Sequence, residues 1–350
     1  MFTISRKRIA VVLTGFCFLV LAFLIMGFGL FFIRPAENGG ADQIVVVREG
    51  MSLKEVAKAL DGKEIITNKS LFMLWTRIMG YSRKIKAGEY RLSSAMAPIR
   101  VIEILTRGII ITHPVTIPEG FSKEQIGELL AKKELVDRQR FLALTKDQQL
   151  LKRYGISSPG FEGYLYPDTY QFGRGLTAET VIDTMIRHFL EVIEPLKERI
   201  EKSGMTMEAV VTLASIVEKE TGRAEERPVI ASVFLNRLKK RMRLESDPTV
   251  IYGIKDFNGN LTRKDLLKHT PYNTYVIRGL PPGPIASPGL EAIRAVLYPK
   301  ETDYLYFVSK NDGSHHFSRT LKEHNRAVTI YRDHLPEETI FSIKKIFLTV

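Results

Sequence analysis

The stretch from residue 9 to residue 33, IAVVLTGFCFLVLAFLIMGFGLFFI, has no charged residue, and Thr14 is its only polar side chain. At 1.5 Å per residue it makes about 37 Å of helix, enough to cross a hydrocarbon core of roughly 30 Å with some tilt. A cleaved signal peptide is the competing reading, but its apolar region runs roughly 7 to 15 residues and ends at a small-residue cleavage site. This run is longer and ends in FFIRPAENGG. The pattern predicts an uncleaved transmembrane signal anchor over 9–33. Arg6, Lys7 and Arg8 precede it and only Arg34 follows closely. The positive-inside rule then puts residues 1–8 in the cytoplasm and the chain after about residue 35 on the extracytoplasmic side of a cell membrane.

The exported part is long enough for two or three folded domains. The single cysteine, Cys17, falls inside the span, so those domains must hold together by core packing without an internal disulfide. Taking the four basic residues at the anchor from the formal net charge of +12 leaves +8. Such an excess suits an anionic surface, membrane lipid or cell-wall polymer, and equally suits a merely soluble basic surface. No interleaving of aromatic and basic residues accompanies it, so no nucleic-acid partner is expected.

A short linker, residues 34–43, leads into an internal repeat with an offset of 70. VVVREGMSLKEVAKALDGKEIITNKSLF from residue 45 aligns with VTIPEGFSKEQIGELLAKKELVDRQRF from residue 115. Glu49 matches Glu119, Gly50 matches Gly120, Ser52 matches Ser122, and Glu64 matches Glu134. Each copy reads as a β-rich run, a Glu-Gly turn, and a Ser able to cap a helix with an acid or amide three residues on: Ser52 with Glu55, Ser122 with Gln125. Residues 44–150 are therefore expected to form a membrane-proximal region of small βα units. Their strand, helix, helix, strand order resembles the LysM module, which grips polymers containing N-acetylglucosamine. A spacer that binds no sugar is the alternative.

From about residue 155 the chain becomes rich in Tyr, Pro and Gly, then alternates long helical patterns with irregular segments such as GLPPGPIASPG. DYLYFVSKNDGSHHFS reads as a hairpin. The expected fold class is α+β, with helices against a small sheet over 151–335 and a tail, 336–350, that either adds a strand or forms a free apolar end.

Cysteine nucleophiles are excluded, and no GxSxG, P-loop or dinucleotide motif is present. His315, His316 and His324 lie close in sequence, yet adjacent histidines on a strand point to opposite faces and no HExxH occurs. Neither a metal nor a cofactor is expected. Glu162, Asp168, Glu218, Glu220, Glu245 and Asp247 remain, in segments rich in Tyr, Asn and Gly. Aromatic faces and amide donors are what a polysaccharide site needs; half-buried core is the other reading of the same tyrosines.

Glu218 stands out in MTMEAVVTLASIVEKETGR. On a surface helix, Val210, Leu213, Ala214 and Val217 form a stripe, and Glu218 falls about 80° from its centre, near a helix end expected at Gly222. An apolar flank and a helix C-terminus both favour a protonated carboxyl, which is the tool for protonating a glycosidic oxygen. A solvated pair with Glu220 is the alternative.

FEGYLYPDTY, LASIVEKET, VFLNRLKKRMRLESDPTVIYG, PYNTYVIRGLPPGPIASPG and LYFVSKNDGSHHFSRTLKEHN together resemble the endolytic murein transglycosylase family, also called MltG or YceG-like. The likeness implies that Glu218 is the catalytic residue. It implies cleavage inside glycan strands between N-acetylmuramic acid and N-acetylglucosamine, with 1,6-anhydro ends formed, and partnership with peptidoglycan synthases. Tyr166, Asn236, Asp247, Tyr252, Tyr272 and Asn273 are expected to touch substrate or to support the residues that do. Glu245 stands where the family often has Gln and is read as tolerated. A muramidase using Glu218 with Asp247 and a non-catalytic wall-binding scaffold are the alternatives.

Overall fold

A computed structural model describes residues 6–37 and 39–332. The tail 336–350 and residues 1–5 of the expected cytoplasmic segment lie outside the described residues. Two compact units form: Met1–His113 with Gln171–Thr177, and Pro114–Tyr170 with Ala178–Val350.

The first unit contains α1 (Arg6–Ile33), β1 (Asp42–Val47), α2 (Leu53–Asp61), α3 (Lys69–Ile78), β2 (Gly88–Ser93) and α4 (Pro98–Arg107). α1 is a single helix of 28 residues. Side chains are described for only part of it, and among the described residues no helix is long and apolar enough to cross a membrane. β1 and β2 pair antiparallel from Asp42↔Ser93 to Val47↔Gly88. Their inward residues Val45, Val47, Tyr90 and Leu92 pack on Val56, Leu60, Phe72 and Leu105 from the helices. Phe32, near the end of α1, stacks on Trp75 of α3 at 4.4 Å.

There follow β3 (His113–Thr116), α5 (Lys123–Lys132), α6 (Arg138–Leu144), α7 (Gln148–Arg153), β4 (Thr169–Phe172), α8 (Ala178–Ile193), α9 (Lys197–Ser203) and α10 (Met207–Glu220). The larger unit continues with α11 (Arg227–Lys239), α12 (Asp247–Tyr252), α13 (Arg263–Leu266), α14 (Leu290–Leu297), β5 (Tyr306–Ser309), β6 (His315–Ser318) and α15 (Leu321–Arg332). The fold is α+β, but in place of one small sheet there are three two-stranded ones among the described residues, β1–β2, β3–β4 and β5–β6. The hairpin forms as its sequence predicts, with Asn311 and Gly313 at positive φ in the turn.

The repeat is visible in backbone geometry. Ser52 with Glu55 and Ser122 with Gln125 both form complete capping boxes. Gly50 and Gly120 have φ of 84° and 74°, and the matched non-glycine pair Glu64 and Glu134 have φ of 55° and 57°. The sequence groups both copies within 44–150, whereas the second copy packs in the larger unit. There Gly120 donates its N–H to the Ser287 carbonyl at 2.8 Å, Ser287 donates to the Phe121 carbonyl at 2.8 Å, and the Lys123 amide donates to Glu162 at 3.0 Å.

α10 is the centre of that unit. Thr206 caps its start by accepting the Ala209 N–H. It is not the one-sided surface helix of the sequence reading: every residue from Val210 to Val217 is buried, because α11, α14 and the 284–285 segment surround it. Ser215, on the side away from the stripe, spends its hydroxyl on the Ile285 N–H at 3.0 Å. Each fully buried Val, Leu or Ile here contributes ~1.5–3 kcal/mol. The helix ends at Glu220 in an extended Thr221, earlier than the expected Gly222.

Candidate active site

A 3-10 turn at Ala224–Glu226 reverses the chain between α10 and α11, and Pro228 fits the first turn of α11 because it has no N–H to satisfy. The reversal brings Arg227 back over the last turn of α10. Its Nη2 donates to Glu218 Oε1 at 2.8 Å. The Gly289 N–H, at the start of α14, donates to Glu218 Oε2 at 3.0 Å. Glu218 is thus held at both oxygens, with its side chain 5% exposed.

These surroundings act in opposite directions on its proton affinity. Burial is the largest influence and raises the Glu218 pKa; the Gly289 N–H and Arg227 lower it, and the charge of Glu119 raises it. The net direction is upward. A carboxyl so placed is oriented as a carboxylate and still biased toward the acid form, which suits a group that gives a proton and then takes one.

Glu119 was legible in the sequence only as a member of the repeat. In the structure its Oε2 lies 3.4 Å from the same Arg227 Nη2. Gly120, at positive φ, sets the turn that places it, and the Lys219 ammonium donates to the Gly120 carbonyl at 3.2 Å. Neither Glu119 nor Arg227 carried a sequence signal for this role, since they lie 108 residues apart.

The other expected residues have distinct positions. Tyr166 is buried, edge-on to His188 at 5.0 Å, and its hydroxyl pKa is raised by burial first and then by Glu119 and Asp168. Asp168 is exposed and bonded to His188 at 2.6 Å. Tyr252 and Tyr272 pack ring on ring at 4.7 Å. The Tyr252 hydroxyl donates to Glu162 and accepts from Lys123, both at 2.9 Å, and burial lifts the Glu162 carboxyl to about 6. Asn273 is fully buried, its amide donating to the carbonyls of Asp265, Leu266 and Lys268 and its oxygen accepting the Tyr275 N–H. Asn236 donates to the carbonyls of Thr302 and Tyr304. Both asparagines therefore organise loops and have no donor left to offer a sugar.

Asp247 is exposed at the start of α12 and accepts from the Tyr275 hydroxyl at 2.6 Å. Glu220 is not the solvated end residue of the sequence alternative: the buried Ser246 hydroxyl donates to it at 2.5 Å, and burial, aided by the charge of Asp247, lifts its carboxyl to about 7. Glu245, at positive φ, accepts from Arg237 at 3.0 Å. His315 bonds Glu226 through its N–H and its Nδ1, at 2.9 and 2.6 Å.

A mixed helical fold that buries one carboxylate between an arginine and a helix N-terminus, with a second carboxylate on the same arginine, is an architecture for acid–base chemistry. Residues 45–330 match the model of the YceG-like family, and the chain belongs to that family. It is 34% identical over 322 residues to an endolytic murein transglycosylase of Bacillus subtilis (strain 168), covering 87% of this chain and 89% of that one. An endolytic murein transglycosylase of Streptococcus pneumoniae serotype 2 (strain D39) is 28% identical over 329 residues, covering 85% of this chain and 60% of the longer relative. A 2.6 Å crystal structure of a yceG-like protein from Listeria monocytogenes superposes with a TM-score of 0.57 at 34% identity, covering 81% of this chain and 98% of that one.

Proposed function

We propose that the protein is a peptidoglycan lytic transglycosylase, a lyase that cuts within glycan strands between N-acetylmuramic acid and N-acetylglucosamine. The observation that carries this reading is the buried Glu218, held by Arg227 and the Gly289 N–H in a member of a family whose relatives are endolytic murein transglycosylases. Protonated Glu218 gives its proton to the bridging oxygen as the bond from that oxygen to the muramic-acid C1 breaks. The 6-hydroxyl of the same sugar then attacks C1, and its proton passes to the Glu218 carboxylate. The ring closes as a 1,6-anhydro sugar, and the acid is regenerated without water. One carboxyl suffices because the nucleophile is intramolecular.

The protein acts from a membrane anchor at 9–33, with its N-terminus in the cytoplasm and its larger unit outside. Support comes from the uncharged sequence, the helical backbone of Arg6–Ile33, and exposed Phe16, Phe18, Leu19 and Phe23, an apolar surface that water does not favour. The β1–α2–α3–β2 unit serves as a LysM-like glycan contact beside that anchor, and work on nascent strands makes peptidoglycan synthases the natural partners.

Glu218→Gln keeps the size of the side chain and removes its proton chemistry, so turnover is expected to fall roughly 10²-fold or more with polymer binding retained. Mass spectrometry of digested glycan strands reads the product: 1,6-anhydro ends support the transglycosylase, reducing ends indicate a muramidase that pairs Glu218 with Asp247, and equal turnover in the variant moves the chemistry away from Glu218.

A further inference from the structure

An acid catalyst paired with an arginine presents a difficulty that rests on the reading of Glu218 given above. Arg227 is itself largely buried, its side chain 11% exposed, and its Nε is buried with no hydrogen-bond partner. When Glu218 takes up a proton, that guanidinium loses its nearest counter-charge. A cation left alone at such a site opposes the protonation that the chemistry needs.

Glu119 supplies the missing charge. Its carboxylate reaches the same Nη2 that Glu218 uses, at 3.4 against 2.8 Å. The two acceptor oxygens are therefore no more than about 6 Å apart, close enough for the charge of one carboxylate to act on the proton affinity of the other. Gly289 brings the two together from the other side. Its N–H holds Glu218, while a Cβ built on it would lie 1.9 Å from Glu119 Oε1, so the Glu119 carboxylate rests where only glycine leaves space. Glu119 remains 47% exposed, which leaves its carboxylate free to shift toward Arg227 at little cost.

We propose that Glu119 is a positioning residue of this site, taking Arg227 over from Glu218 when Glu218 is protonated and releasing it when Glu218 becomes a carboxylate. Arg227 thereby remains paired in both halves of the reaction. The charged and titratable groups facing Glu218 are Glu119 from the Glu-Gly turn, Arg227 from α11, and Lys219 on its own helix, which is engaged with the Gly120 carbonyl; α14 presents a backbone N–H. The direction in which Glu119 moves the Glu218 proton affinity, upward, agrees with the geometry.

The test is a ¹³C-carboxyl NMR titration of Glu218 in the full chain in detergent micelles, with the resonance assigned by its loss in Glu218→Gln. In Glu119→Gln, Arg227 has one charged partner left, and the midpoint of Glu218 moves to lower pH. In Arg227→Gln it moves to higher pH. The alkaline limb of the kcat/KM profile follows in the same two directions, each pH unit lost costing about tenfold in protonated enzyme above it. Glu119→Asp restores most of the wild-type midpoint. A midpoint that is unchanged or raised in Glu119→Gln overturns the proposal, because a merely structural role does not move the two variants oppositely. Wild-type digests without 1,6-anhydro ends would sink the functional reading instead, since the titration of Glu218 does not depend on turnover.

Discussion

Glu220→Gln tests the physics of the site's most perturbed glutamate. Burial lifts the Glu220 carboxyl from the ordinary 4.5 to about 7. Below pH 4 the group is neutral in both folded and unfolded chains and contributes no pH dependence. As pH rises from 4.5 to 7 the unfolded chain releases its proton while the folded chain keeps it, so the folded state loses ground steadily; above pH 7 both have released it and the penalty is constant. Integrated over that window, the loss is about 3 kcal/mol. Glutamine cannot ionise, and its amide oxygen still accepts the Ser246 hydroxyl that now donates at 2.5 Å. The variant is therefore expected to match wild type near pH 4 and to exceed it by up to about 3 kcal/mol at pH 8, worth several degrees in the unfolding transition of the larger unit. Calorimetric scans of both proteins across pH 4 to 8.5 measure this. An offset that is the same at both ends of the range, or a variant less stable at pH 8, would refute the assignment of a buried, proton-holding carboxyl.

Gly289→Ala keeps a backbone conformation open to alanine, with φ at −76°, but its Cβ evicts the Glu119 carboxylate; the expected result is a stability loss under about 1 kcal/mol with the alkaline limb of activity moved to lower pH. A full loss of folding by circular dichroism would contradict it. Arg237→Ala is expected to destabilise by about 3 kcal/mol or more in urea unfolding, because the buried guanidinium serves the carbonyls of Leu305, Arg243 and Leu244 and lies 5.0 Å from the Tyr306 ring centre. A cost under 1 kcal/mol would show those carbonyls to be satisfied by water.

Much of this was legible one residue at a time. Capping pairs act across three residues, so Ser52 with Glu55 and Ser122 with Gln125 could be read before any packing was known. The same holds for the Glu-Gly turns and the Asn-Asp-Gly hairpin, whose positive φ angles depend on local sterics. Glu218 was legible as a carboxyl near a helix end, although its burial was underestimated because periodicity reports one apolar stripe and cannot register neighbours packed on the small and hydroxylated face of Thr212 and Ser215. Asn236 and Asn273 mark another limit of the sequence. A polar residue in an aromatic segment can be read as touching substrate or as supporting the residues that do, and only the fold shows that their amides donate to backbone carbonyls.

By itself the sequence determined the α+β class, the paired βα units, the long apolar stretch at 9–33 and the family, since each depends on local spacing or on motifs in order along the chain. Only the tertiary structure decided that the second repeat belongs with the larger unit, that Glu220 shares a buried hydroxyl with Ser246, and that Glu119, Glu218, Arg227 and Gly289 meet. The reason is physical. A carboxylate's behaviour is set by the charges and donors within a few ångströms of it, and for Glu218 those come from residues 119, 227 and 289, brought together by core packing around α10.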